Sequence, residues 1–205
     1  MPTKLEAVNL VLRRLGKTPV TQDELENGGG TTTHVEQTLD DALDHIQQEG
    51  WWWNTKYDVE ATVDDSGKVN VTQLESDGSG GWLDIYHVDA MHSEAKHVTR
   101  RGDYLYDLED NEYITATTKV MYTYARPWTE VPHAFQKYAI ALAAFNFNRY
   151  FLSKQSNDGG IMLELGDARR QAMKEEIQDS NVNVLNTAEM KQLRGRPRTP
   201  DRSVY

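Results

Sequence analysis

The residues of this chain that could do chemistry are its carboxylates, its six histidines and a run of three tryptophans. Asp84 with Asp107, or Glu109 with Glu112, could form the acid and base pair of a glycosidase, which requires one carboxyl held protonated in a dry pocket. Most acids here fall in turns or on charged helix faces, where water keeps both members of a pair ionised. Surface charge is therefore the better reading. Asp64-Asp65-Ser66-Gly67-Lys68 and Asp107-Leu108-Glu109-Asp110-Asn111-Glu112 superficially resemble calcium loops. Neither has oxygen ligands at alternate positions closed by a distant glutamate, so both read as hairpin turns. His87, His92 and His97 recur every five residues, a spacing that does not converge them on one metal; His34, His45 and His133 are isolated. Ser153, Ser156 and Ser203 lack a nucleophile elbow, and the glycines at 28–30 and 78–81 lack the Lys-Ser/Thr of a phosphate cradle. With no cysteine there is neither a thiolate nucleophile nor a disulfide framework. No cofactor or metal is expected.

Charge is distributed unevenly. The net charge is −10, yet the segment from Glu189 to Tyr205, with Lys191, Arg194, Arg196, Arg198 and Arg202, is +3 and the remainder −13. An acidic body repels polyanions, whereas a guanidinium-rich arm suits phosphate or carboxylate. The tryptophans Trp51, Trp52 and Trp53 could stack on sugars or bases, but their position, where a helix hands over to a sheet, favours sealing the junction between two cores.

Several elements must position these residues. Leu5, Val8, Leu12 and Leu15 are at helical spacing, with Thr3 as N-cap, Glu6 completing a capping box and Gly16 as stop. Residues 17–30 read as a loop closed by three glycines. From Thr33 to Gln48, Val35, Leu39, Ala42, Leu43 and Ile46 make an apolar stripe, while Glu36, Asp40, Asp41 and Asp44 lie off it. After Gly50 the period approaches two, and strands are predicted at Tyr57–Val63, Val69–Leu74, Trp82–Val88, Ala95–Thr99, Tyr104–Leu108 and Lys119–Tyr124. A helix is predicted from Pro132 to Phe151, a break at Asn157-Asp158-Gly159-Gly160, and a further helix from Ile161 to about Gln178.

The fold class is thus α+β: a four-helix bundle with an inserted small antiparallel β-sheet or sandwich domain and an extended C-terminal arm. The expected domains are residues 1–54 and 131–180, the two halves of the bundle, residues 55–130, the insertion, and residues 181–205, the basic arm. The 38% of hydrophobic residues suffices to fill such cores. With no apolar run long enough to span a bilayer and no leader, a soluble, unprocessed chain without membrane association is expected.

An ordered set of landmarks resembles one family. They are residues 7–20 (AVNLVLRRLGKTPV), 49–55 (EGWWWNT), 101–107 (RGDYLYD), 131–144 (VPHAFQKYAIALAA) with 148–151 (NRYF), and the acidic-then-Ala-Arg-Arg stretch from Glu164 to Arg170. The sequence resembles tail tubular protein A, the head-to-tail adaptor of short-tailed, podovirus-type bacteriophages. That resemblance implies a non-enzymatic virion protein at the head-to-tail junction, assembled in the host cytoplasm. It further implies a ring of twelve copies, binding to the portal and to the nozzle protein, tail tubular protein B, with tail fibres as a further partner. DNA would pass through the channel without sequence-specific binding. The family has no catalytic residue to carry over.

On this reading the acidic face at Asp40, Asp41 and Asp44 lines the channel and repels the passing genome, while the arm, from Lys191 to Arg202, docks on the portal. A polysaccharide-binding or -cleaving tail component is the alternative, and a basic-tailed nucleic-acid-binding module ranks third.

Overall fold

The computed structural model describes residues 2–76, 82–91, 98–152 and 158–179. Among these, three helices come first: α1 (Lys4–Arg14), α2 (Gln22–Asn27) and α3 (Thr31–Gln48). Six strands follow, β1 (Thr55–Ala61), β2 (Ile85–Met91), β3 (Val98–Arg101), β4 (Tyr104–Asp107), β5 (Glu112–Tyr113) and β6 (Thr118–Tyr124). A short 3-10 turn (Trp128–Glu130) leads into α4 (His133–Phe147), a π turn (Asn148–Leu152) and α5 (Asp158–Asp179).

The first helix starts where its cap dictates. The Thr3 hydroxyl accepts from Glu6 N–H, and the Glu6 carboxylate accepts from Thr3 N–H at 2.8 Å, a closed capping box. The same device opens α2 inside the segment predicted to be loop: Thr21 and Glu24 cap each other across residues 21–24. The glycines stop α2 at Asn27 but do not prevent it, and α3 begins two residues earlier than the apolar stripe suggested. Asn9 ties the intervening loop back to α1 by exchanging two hydrogen bonds with the Val20 backbone, at 2.7 and 2.9 Å.

Residues of α1, α3, α4 and α5 share one hydrophobic cluster that includes Val8, Val11, Leu39, Ile46, Phe135, Ile140, Ile161 and Ala172. Alanines supply much of the α4 surface, at positions 134, 139, 141, 143 and 144, so neighbouring helices can approach this central helix closely. Pro132 stands at its N-cap, one residue before the first helical position, and its carbonyl accepts from Phe135 and Gln136 N–H at 3.0 Å. The α-helix ends at Phe147 rather than Phe151, and the π turn carries the chain onward. The following helix begins at Asp158, so Gly159 and Gly160 belong to its first turn; first-turn N–H groups have no intrahelical partner, and glycine there interrupts little.

The strands form two antiparallel three-stranded sheets, ordered β1-β6-β2 and β3-β4-β5. Together they enclose a second cluster of Ala61, Val69, Val71, Ile85, Val88, Leu105, Val120, Tyr122 and Tyr124. A bulge in β1 between Lys56 and Val59 puts Asp58 at φ +61°, and Lys119 from β6 pairs with its carboxylate at 3.0 Å. The strand predicted at Val69–Leu74 does not form; only single bridges from Val69 to Val63 and from Asn70 to Tyr104 occur. The cause is local. Asn70 Oδ1 accepts from both the backbone N–H and the hydroxyl of Thr72, so the chain turns instead of extending. The first part of the Ala95–Thr99 strand, the glycines at 78–81 and the basic arm lie outside the described residues.

Candidate assembly surfaces and the joint between helices and sheet

Two chain segments cross from the helical cluster to the sheets, one after α3 and one after β6, and side-chain amides hold them together. Gln47 Nε2 donates to the Arg126 carbonyl at 3.3 Å while Arg126 N–H donates to Gln47 Oε1 at 2.6 Å. Asn54, fully buried, extends the pattern: its Nδ2 donates to the carbonyls of Gln47 and Tyr124, and its Oδ1 accepts from Trp51 N–H at 2.8 Å. Between them Gly50 turns with φ +75°, and a Cβ there would lie 3.2 Å from Thr123 Oγ1. Buried polar groups are tolerated only when satisfied, so this network sets one geometry for the joint.

The tryptophans divide around that joint. Trp51 and Trp53 are buried against Phe135, with ring centroids 4.8 and 5.4 Å away, and Trp51 Nε1 donates to the Ile46 carbonyl. Both belong to the helical cluster. Trp52 does not share this core: its side reaches the surface, 36% exposed, and its backbone N–H donates to Glu176 of α5 at 3.1 Å.

Asp40, Asp41 and Asp44 are exposed on α3, but their surroundings differ. Lys4 from α1 bridges Glu36 and Asp40 at 2.8 and 3.0 Å. Burial alone would lower the Lys4 pKa, yet the two carboxylates outweigh it and hold the ammonium above its ordinary range. Asp44 reaches the sheet instead, accepting a hydrogen bond from the Tyr86 phenol of β2 and another from Gln48. Burial, followed by the hydrogen bond and charge of Asp44, pushes the Tyr86 phenol far above its ordinary pKa. Asp44 is thus a second strut across the joint. The arm cations Lys191, Arg194, Arg196, Arg198 and Arg202 lie outside the described residues.

The residues nominated for catalysis differ in burial and in their partners. Asp107 is buried, but its carboxylate caps a turn by accepting from the N–H groups of Glu109 and Asp110, whereas Asp84, Glu109 and Glu112 are exposed. His87 pairs locally with Asp89, and His34 stacks on Phe151. Among the described residues no group of three or more histidine or acidic side chains could hold a metal ion.

One surface escaped the sequence reading. Met162, Leu163, Met173 and Ile177 are exposed on α5, off the stripe of Ile161, Leu165, Ala168 and Ala172 that packs inward. A second apolar row on the same helix was the available signal.

The class that the fold defines is a subunit of mixed helix and sheet whose two hydrophobic clusters meet at an amide-held joint. The chain belongs to the tail tubular protein family, whose model matches residues 5–182, and it is accordingly a structural component of a phage tail. No match was found among curated proteins. No helix of the described residues is long and apolar enough to cross a membrane.

Proposed function

We propose that the chain is a ring-forming adaptor that joins the portal to the tail nozzle and forms part of the channel through which the genome leaves. The observation that carries this reading is the family match over residues 5–182, spanning all five helices and both sheets except the first residue of α1. The division expected from the sequence fits the role: residues 1–54 and 131–180 as a bundle, 55–130 as an inserted β domain, and 181–205 as an arm. The amide network around Gln47 and Asn54 supports a subunit that carries load between ring layers without bending at its joint. Phage particles produced without this chain should accumulate as filled heads lacking a nozzle; nozzle-bearing particles would contradict the adaptor role.

The α3 face borders the channel on this reading. Because Asp44 supports the sheet, the channel hypothesis is tested at Asp40 and Asp41: reversing both to lysine should slow genome release, and unchanged release would remove them from the lumen. The arm docks on the portal through Lys191, Arg194, Arg196, Arg198 and Arg202. Deleting the residues after Gln192 should leave the fold intact and abolish portal attachment, and normal attachment of the truncated chain would overturn the assignment.

A further inference from the structure

We propose that residues 182–190 of the chain itself fold back along α5 as a strap and cover its outer row, Met162, Met173 and Ile177. The proposal goes beyond the adaptor reading and does not depend on it.

A surface helix needs one apolar face, and α5 has two. Ile161, Ala168 and Ala172 are buried on the first. At 3.6 residues per turn Met162, Met173 and Ile177 fall within an arc of roughly 60° on a second side, where they are 64%, 45% and 78% exposed. A row of this kind along one helix marks a contact surface.

The chain's own continuation supplies the cover. The described residues end at Asp179, the last of α5, two positions beyond Ile177. Ser180 is then the C-cap, Asn181 the position that commonly turns left-handed, and Val182 the position that closes on the third residue from the helix end. That residue is Ile177. Ile177, Asn181 and Val182 thus carry the sequence signature of a Schellman reversal, with asparagine in the place more often held by glycine.

The spacing beyond the reversal continues to fit. Val182, Val184, Ala188 and Met190 share one side of an extended chain, and no residue from Ser180 to Ala188 is charged. Two extended residues advance ~6.6 Å, against ~6 Å for the helical stretch from Ile177 to Met173, so Val184 falls on Met173 when Val182 lies on Ile177. From Val182 to Met190 the strap spans ~26 Å, against ~22 Å along α5 from Ile177 to Met162.

Charge and tethering favour this occupant over a second copy. Helix α5 carries six acids and three bases, a net −3, whereas residues 180–205 carry five bases and two acids, a net +3. A second copy would instead bring a body of −13 against an acidic helix. A segment joined directly to the helix end also faces the row at a local concentration of roughly millimolar order.

The absence of cysteine from the chain makes the test direct. In the full chain, Met173→Cys is combined with Val184→Cys, and the rate of disulfide formation under mild oxidation is compared with that of Gln171→Cys combined with Val184→Cys. Residue 171 is exposed on the far side of α5, roughly 160° from Met173, and a freely moving segment would reach both positions alike. The 173–184 pair should close several-fold faster, within one chain on a non-reducing denaturing gel. Equal rates, or no closure of either pair, overturn the strap, and a 173–184 disulfide that joins two chains overturns the assignment to the chain itself. As a second variant, Asn181→Gly on the 173–184 background should keep or raise the rate while Asn181→Val lowers it several-fold, because a β-branched residue resists the left-handed turn. The same rate in both variants contradicts the reversal.

Discussion

The Gln47 side chain and the Arg126 backbone exchange two hydrogen bonds across 79 positions of sequence, binding the end of α3 to the segment that leaves β6. The pair is the point at which the two chain crossings between helices and sheets become one unit.

Replacing Gln47 by leucine keeps most of its volume but leaves a partly buried N–H and carbonyl of Arg126 without these partners. The expected loss is about 1–3 kcal/mol in chemical denaturation, the range for stranding buried polar groups. A loss below about 0.5 kcal/mol would show that water replaces the amide freely.

The Trp51, Trp53 and Phe135 cluster should be sharply graded. Phe135→Ala removes a fully buried ring that touches both indoles and should cost about 3–5 kcal/mol. Trp52→Ala should cost clearly less than that in the free subunit, because 36% of the residue remains in water. Equal losses at the two positions would refute the division of the tryptophan run.

Alkaline pH should weaken the joint. The folded-state pKa of Tyr86 lies above its ordinary 10.0, through burial first and then its bond to Asp44, so its contribution is complete below about pH 10 and disappears as pH climbs through the folded value. The Lys4 ammonium, whose folded pKa exceeds 10.5, acts in the same sense. Stability should therefore be insensitive to these groups near neutrality and fall above pH 10. In an ultraviolet titration Tyr86→Phe should remove one late-ionising phenol, while Tyr122, also held up by burial and by Glu75, continues to ionise late.

Gly166 is half-buried within α5, and a Cβ there would meet nothing closer than the flexible end of Arg170 at 3.8 Å. Gly166→Ala should raise stability by about 0.5–1 kcal/mol, since glycine inside a helix loses more backbone entropy on folding. A lower melting temperature would mean that α5 is not helical at this position.

Local signals proved the most legible part of the fold. The Thr3 and Glu6 box and the Gly50 stop act within a few residues, so sequence spacing reveals them. The Thr21 and Glu24 box carried the same signature but was overshadowed by the three glycines beyond it. The turn at Asn70 was hidden because Val69 and Val71 alternate with polar neighbours like a strand while a side-chain amide decides the backbone. Of the candidate surfaces, the exposure of the α3 acids follows from their position off the apolar stripe. Their partners do not, since Tyr86 lies 42 residues from Asp44 and Lys4 36 residues from Asp40. The outer row of α5 was readable residue by residue, yet the inward row already accounted for the helix.

The adaptor role is tested most directly by measuring the mass of the purified chain alone and after mixing with a phage portal, and then imaging the mixture. The account predicts a closed ring of this chain seated on the portal. A stable monomer that does not associate with the portal would contradict it.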